Sequence, residues 1–161
     1  MATFDQATNI NAGTHPVQTG QGVFVLEATI DMATVRTQKG GALVAGDIVE
    51  SVDIPANTLI LAAGIEVITA FDSSTDGTTW HLGVTGADVD NFASAVDLED
   101  SAAGTYFGVT TATHIVGGTA DTLDFEMQAV STAPTTGSVR IFAVCIPIDA
   151  KIAPGVPALG S

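Results

Sequence analysis

The sequence predicts an all-β protein, a jelly-roll-like β-sandwich with an extended arm at each end of the chain. Hydrophobic and polar residues alternate along most of the middle of the chain, which is the period of a half-buried strand. Gly, Pro and Asn/Asp turn residues separate these stretches at short intervals. About seven such stretches, with little helix, are typical of a sandwich or a barrel.

The clearest strand is predicted at residues 122–129, where Leu123 and Phe125 share one face and Asp124 lies on the other. Residues 139–146 are apolar on both faces, which predicts a central or interface strand. Five further strands are predicted, at residues 24–32, 48–54, 59–69, 78–85 and 105–111.

Both ends of the chain are predicted to be extended arms. Residues 1–22 are rich in Gly, Thr and Asn and lack periodicity. Residues 147–161 contain Pro147, Pro154 and Pro157, which fix φ and remove hydrogen-bond donors. The predicted organisation is therefore an N-terminal arm (1–22), a β-sandwich domain (23–146) and a C-terminal arm (147–161). Simple terminal disorder is the alternative interpretation of both ends.

The composition favours burial against other subunits over the alternative of a small-residue β protein rich in Ala, Val, Gly and Thr. Hydrophobic residues make up 46% of the chain and charged residues only 14%, against about 25% in typical soluble domains. The net charge of −14 comes from 18 acidic and 4 basic residues, too few cations to contact phosphates. We therefore expect neither nucleic acid nor an acidic membrane surface as a partner. No apolar run approaches the roughly 20 residues of a membrane span.

Residues 86–100 (GADVDNFASAVDLED) form an acidic stretch with two structural interpretations. Apolar residues recur at helical spacing from Val89 through Phe92 to Val96, which predicts a short helix or a compact loop between strands. Asp88 would cap such a helix, and the remaining acids would face solvent. This structural interpretation is the preferred one.

A cation site in the same stretch is the alternative. The helix-loop-helix calcium motif fails, because Phe92 and Ala93 occupy the positions that need an oxygen ligand and a glycine. A different oxygen-rich calcium site remains open, with Asp88, Asp90 and Asp97 as its ligands.

The motifs of catalysis are missing, so we expect no enzyme, no catalytic residue and no cofactor. Residues 41–47 (GALVAGD) have the glycine spacing of a phosphate-binding loop, but Asp47 stands where lysine is needed. The single cysteine, Cys145, lies in an apolar run and is expected to be a buried residue. An acidic hydrolase that uses the carboxylates of residues 88–100 is the enzymatic alternative. The histidines lack metal-ligand spacing: His15, His81 and His114.

Residues 45–70 (AGDIVESVDIPANTLILAAGIEVITA) resemble a group of small, acidic, all-β virion proteins of tailed phages, including marine cyanobacterial phages. The shared pattern is Gly46-Asp47, an alternating strand, Ile-Pro with a small turn, and a long Val/Ile/Leu strand. The flanking stretches LEATIDMATV and HLGVTGADVDNFASAVDLEDSAAGTYF also fit. The likeness covers residues 23–107.

The resemblance implies a structural role in the virion. It implies a capsid decoration or cement protein on the capsid exterior that stabilises the head by binding the major capsid protein, as a homotrimer. The alternative is a tail or fibre adhesin module that binds a host glycan. A single tryptophan, Trp80, and a single tyrosine, Tyr106, make a poor stacking platform for a sugar.

Overall fold

The computed structural model describes residues 3–5, 22–72, 77–85, 88–99, 101–108 and 113–148. Strands dominate this part of the chain, and the all-β class is confirmed. Its elements are β1 (Thr3–Asp5), β2 (Phe24–Asp31), α1 (Met32–Lys39), β3 (Ile48–Ile54), β4 (Thr58–Thr69), β5 (Thr79–Val84), β6 (Asp88–Asp97), β7 (Tyr106–Gly108), β8 (His114–Val116), β9 (Asp121–Ala129) and β10 (Ser138–Pro147). No helix in these ranges is long and apolar enough to cross a membrane.

The strands form two sheets that bury one core between them, so the predicted β-sandwich is confirmed. Sheet A has the order β1-β3-β9-β5-β6, and sheet B has the order β2-β10-β4-β7, with β8 also pairing with β4. The pairing is antiparallel except between β1 and β3, which run parallel. Inward residues of both sheets belong to one hydrophobic cluster.

Aromatic rings occupy the centre of the sheet A side of the core. The Trp80 and Phe125 rings stack with centroids 4.3 Å apart and planes 4° apart. Phe71 meets Trp80 edge-on, with a centroid distance of 5.5 Å. Such pairs add about 0.5–1.5 kcal/mol beyond the burial of their area. The period-two prediction for β5 and β9 is therefore confirmed by the side chains that meet here.

Strand β10 lies between β2 and β4, as predicted for a central strand. Its inward side chains, from Val139 through Ile141 to Cys145, are fully buried. Its outward side chains, including Phe142 and Val144, are only half-buried. The apolar side chains of β10 therefore have two different environments. One set lies in the core, and the other lies on a partly exposed surface.

The predicted helix or loop within residues 86–100 is wrong, because residues 88–97 form β6 at the edge of sheet A. The pairing register with β5 shifts twice, which adds extra residues to β6. One consequence is that the consecutive residues Phe92 and Ala93 are both buried. Ala95 has a positive φ of 50°, and its N–H donates to His81 Nδ1 instead of the ladder. Because of these bulges, apolar residues recur in the sequence of β6 at the spacing that is typical of a helix.

Helix α1 was not predicted, because the alternation of β2 continues into Met32. The strand ends at Asp31, whose carboxylate accepts a hydrogen bond from the Thr34 N–H at 2.8 Å and caps the helix. Gly40 ends the helix in the left-handed conformation, with φ 77°. The buried Met32 therefore belongs to a helix and not to a strand.

The Gly46-Asp47 pair of the resemblance has a structural role. The Gly46 N–H donates to the Met127 carbonyl at 2.7 Å, and the Asp47 carbonyl accepts from the Met127 N–H at 2.9 Å. The Asp47 carboxylate is buried, accepts from the Val44 N–H at 2.8 Å and pairs with Lys39. The pair fastens the loop after α1 to strand β9.

The predicted arms lie largely outside the described residues, and their boundaries stay predictions. Within 1–22, residues 3–5 form β1, which pairs with β3 at the edge of sheet A. Residues 6–21 therefore connect an edge of sheet A to β2 at an edge of sheet B. At the other end, β10 continues to Pro147, and the Ile148 N–H donates to the Asn57 carbonyl at 2.7 Å.

Substitution of Gly137, the residue before β10, tests the packing between the sheets. Gly137 has a φ of 111°, and a Cβ added there would lie 2.4 Å from a ring carbon of Phe71. Overpacking and a strained backbone each cost about 1–3 kcal/mol. We expect Gly137→Ala to lower the free energy of unfolding in urea by about 3 kcal/mol. Gly118→Ala, where a Cβ meets open space, should change it by less than about 0.5 kcal/mol, and equal losses in both variants would contradict this account.

The loop before β10 is held by Asp72, and this gives a pH dependence. The hydroxyl of Thr135, together with the N–H groups of Thr135 and Thr136, binds the Asp72 carboxylate and lowers its pKa from 3.8 to about 2. Because the folded pKa is the lower one, this stabilisation is present above pH 4 and is lost as the pH falls towards 2. Asp72→Asn should therefore destabilise the protein at pH 7 and much less near pH 2, as measured by denaturant unfolding. The exposed Asp53→Asn serves as control, and a pH-independent effect of Asp72→Asn would refute the assignment.

Candidate interaction surface

The outer face of sheet B carries an apolar patch at one end. Val144 points outward, since its neighbours in β10 point into the core, and it pairs with Val25 of β2 and Ala62 of β4. Residues that pair directly lie on the same face of a sheet. One step along, Ile146 pairs with Leu59, which also pairs with Ile115 of β8. We define the apolar patch as these six side chains: Val25, Leu59, Ala62, Ile115, Val144 and Ile146.

The apolar patch is incompletely covered in the single chain. Val25 is 58% exposed and Ile115 is 63% exposed, while the other four members are half-buried. A contiguous group of exposed aliphatic side chains on a sheet face is typical of an interaction site. The patch is therefore the strongest candidate for a contact with another protein surface.

A charged row lies on the same face, at the opposite end of the strands. Arg140 bridges two carboxylates, with Nη1 3.3 Å from Glu27 and Nη2 2.5 Å from Glu66. The Tyr106 hydroxyl donates to Glu66 at 2.7 Å, and this hydrogen bond raises the pKa of Tyr106 above its ordinary value. We define the charged row as Glu27, Glu66, Tyr106 and Arg140.

The two halves of the face differ in what they can bind. The apolar patch gains free energy when an apolar surface removes it from water. The charged row has its cation already shared between two acids, so its groups have a smaller need for an external partner. An apolar centre beside satisfied polar groups is the usual composition of a protein–protein interface.

The register of β6 separates two of the three predicted cation ligands. Asp88 pairs with Val84 and Asp97 with Thr79, five positions apart on β5. At about 3.3 Å per residue, the two backbone positions are about 17 Å apart. Calcium ligands lie within about 2.6 Å of the ion, so Asp88 and Asp97 cannot bind the same one.

The side chains of Asp90 and Asp97 have local partners. Asp90 accepts a hydrogen bond from the Ser94 hydroxyl at 2.8 Å, and Asp97 accepts from the Glu99 N–H at 2.9 Å. In the described ranges, no three His, Cys, Asp or Glu side chains come together as metal ligands. The side chain of Asp88 lies outside the described residues. The calcium site stays a prediction, restricted by the register to the end of β6 that carries Asp88 and Asp90.

Besides Asp47, two buried acids were not predicted. Asp124, expected on the solvent side of β9, is only 2% exposed, and burial raises the pKa of its carboxyl although the hydroxyls of Thr85 and Thr122 oppose the change. Glu99 is 7% exposed, and among the described residues its carboxylate oxygens have no hydrogen-bond partner. No sequence pattern indicates the burial of either side chain, since the burial of an outward side chain depends on which loops cover it.

The side chains of Trp80 and Tyr106 do not form a stacking platform for a glycan, in line with the expectation that they would make a poor one. Trp80 is 0% exposed and lies in the core against Phe125. Tyr106 is exposed, but its hydroxyl binds Glu66 and its ring meets Phe142 edge-on, with centroids 6.4 Å apart. One exposed tyrosine offers little stacking area to a sugar.

No protein-family model matches this sequence, and no curated protein is similar to it. Solved structures of similar fold include chains of two phage capsids. A chain of the cyanophage Pam1 capsid asymmetric unit superposes with a TM-score of 0.61 at 15% identity, over 87% of this chain and 95% of that chain. A chain of the capsid of Ralstonia phage GP4 gives 0.63 at 16% identity, over 90% of this chain and 97% of that chain.

These comparisons show a shared fold over nearly the whole length of both phage chains. The resemblance of the sequence to small virion proteins of tailed phages is thereby confirmed at the level of the fold. What these two capsid chains share with this chain is the β-sandwich fold.

The cation prediction is tested by thermal unfolding with calcium and with EDTA. If Asp88 and Asp90 bind an ion, calcium raises the unfolding temperature of the wild type, since ligands that bind only the folded state stabilise it. Asp97→Asn should keep this increase, because Asp97 lies at the other end of β6. The Asp88→Asn/Asp90→Asn variant should lose it. A wild-type unfolding temperature that is the same in calcium and in EDTA would remove the prediction.

Proposed function

We propose that this protein is a structural protein of a phage virion, a decoration or cement protein that binds the major capsid protein on the exterior of the head as a homotrimer. The observation that carries the proposal is the match to chains of two phage capsids, covering 95% and 97% of those chains. A non-enzymatic role is part of the proposal.

The charge of the chain supports the exterior location. A net charge of −14 with four basic residues is repelled by packaged DNA, whose phosphates need Lys and Arg as partners. On the outer surface the same charge favours solubility. The interior of a filled head is therefore the less favourable side for this chain.

The apolar patch supports the assembly role. Exposed side chains such as Val25 and Ile115 gain free energy when a neighbouring subunit covers them. Repetition of one contact over a symmetric shell adds avidity to each weak contact. The adhesin alternative lacks such support in the described residues, since Trp80 lies in the core.

The proposal predicts that the protein binds phage heads assembled without it, measured by co-sedimentation. Ile115→Asp places a charge in the apolar patch and should weaken binding at least tenfold, about 1.4 kcal/mol. Ile68→Asp is the matched control, because Ile68 is also an exposed β-strand isoleucine but lies outside the patch. It should change the affinity less than about twofold, within the usual range of a surface substitution.

Circular dichroism and urea unfolding must show both variants folded before their affinities are compared. Failure of the wild-type protein to bind heads, with the fold intact, would overturn the proposed function. Equal losses of affinity in Ile115→Asp and Ile68→Asp would show that the apolar patch is not the contact.

A further inference from the structure

Strand β6 is joined to β5 at one point by a side chain instead of a backbone carbonyl. The ladder pairs on either side of His81 leave this one residue of β5 opposite two consecutive residues of β6, Ser94 and Ala95. The Ala95 N–H donates to Nδ1 of His81 at 3.0 Å. The imidazole therefore supplies the acceptor that the bulge has moved out of the ladder.

The backbone of Ala95 has a conformation that depends on its surroundings. Its φ is 50°, in the left-handed region that residues with a Cβ rarely adopt. Such a conformation persists where neighbouring contacts hold it. Among the described strands β6 pairs with β5 alone, because it is the edge of sheet A. The hydrogen bond to His81 is therefore a contact that stabilises the bulge.

This hydrogen bond exists only while the ring of His81 is neutral. A neutral imidazole has one N–H group and one acceptor nitrogen, and the Ala95 N–H requires that Nδ1 is the acceptor. The proton of the neutral ring is then on Nε2. A second proton would make Nδ1 a donor, so that two N–H groups would point at each other. Histidine is the side chain that ordinarily changes its charge between about pH 5 and pH 8.

Acids on the two strands that flank β5 offer the protonated ring another partner. Glu126 of β9 pairs directly with His81, so both side chains lie on the outer face of sheet A. A carboxylate attracts an imidazolium, whereas the Ala95 N–H requires the neutral ring. β5 itself carries no titratable side chain besides His81. The other titratable side chains of the flanking strands are Asp121 and Asp124 of β9 and Asp88, Asp90 and Asp97 of β6.

From this geometry we infer that His81 is a pH-sensitive switch that joins the edge strand β6 to β5. Above the range in which histidine titrates, the neutral ring accepts the Ala95 N–H and stabilises the bulge. As the pH falls, Nδ1 takes up a proton, the Ala95 N–H is released, and the imidazolium pairs with Glu126. The stability that the hydrogen bond contributes is therefore present at the higher pH and is lost on acidification.

Amide hydrogen exchange of Ala95, followed by NMR on the full chain, tests the switch. Protection factors, which are corrected for the intrinsic exchange rate at each pH, are compared at about pH 8 and about pH 5. We expect the protection of Ala95 to be about fivefold lower at the lower pH, as for the loss of one hydrogen bond. A protection factor that is equal at both pH values would overturn the inference.

Two substitutions separate the proton on His81 from other effects of acid. His81→Asn offers an amide oxygen as acceptor and has no proton to gain, so Ala95 should stay protected at both pH values. His81→Phe has no acceptor, so the lower protection should be found at both. The wild-type pH dependence in His81→Asn would show that another group titrates and would overturn the inference. Full protection in His81→Phe would do the same.

His114→Asn is the matched control, because His114 is also a half-buried strand histidine but lies on β8 in sheet B. It should leave the pH dependence of Ala95 unchanged, and loss of that dependence would contradict the assignment to His81. Circular dichroism must show every variant folded at both pH values. Asp72 does not contribute to the change, because its pKa of about 2 lies below the range tested.

Glu126→Gln tests the exchange of partners. Without the carboxylate the imidazolium loses its attraction on this face, so a lower pH is needed to release Ala95. The midpoint of the loss of protection should therefore move to a lower pH than in the wild type. A midpoint that stays in place or moves upward would overturn the exchange.

Discussion

Strand β10 imposes the register on which the rest of sheet B depends. It pairs along its length with β2 on one side and β4 on the other, so its alternation decides which side chains of three strands face inward. Ile141 and Cys145 thereby enter the core, while Arg140 and Val144 reach the outer face. A shift of one residue would exchange these faces. The core and the candidate interaction surface are therefore two consequences of one pairing.

The same pairing divides the outer face of sheet B. Arg140 meets Glu27 and Glu66 at one end, where opposite charges compensate one another within the chain. Val25 and Val144 pair at the other end, where the aliphatic side chains stay partly exposed in the single chain. The apolar patch is thus a place on the surface where the low proportion of charged residues is evident.

Local patterns in the sequence predicted strands well where each strand is regular and less well where it is not. β9 follows simple alternation, and its predicted limits agree with the structure to within one residue. β6 carries bulges that place Phe92 and Ala93 inside together, so its spacing imitates a helix. α1 begins after Asp31, the last residue of β2. The side chain of Asp31 caps the helix through a hydrogen bond, which the alternation of the sequence does not indicate.

By itself the sequence determined the all-β class, the regular strands, the excess of acidic over basic residues and the likeness to phage virion proteins. These properties depend on composition and on neighbours within a few residues. Only the tertiary structure decided the strand order, the separation of Asp88 from Asp97, the burial of Asp124 and the position of the apolar patch. Each of these depends on contacts between residues far apart in the chain, which no local pattern specifies.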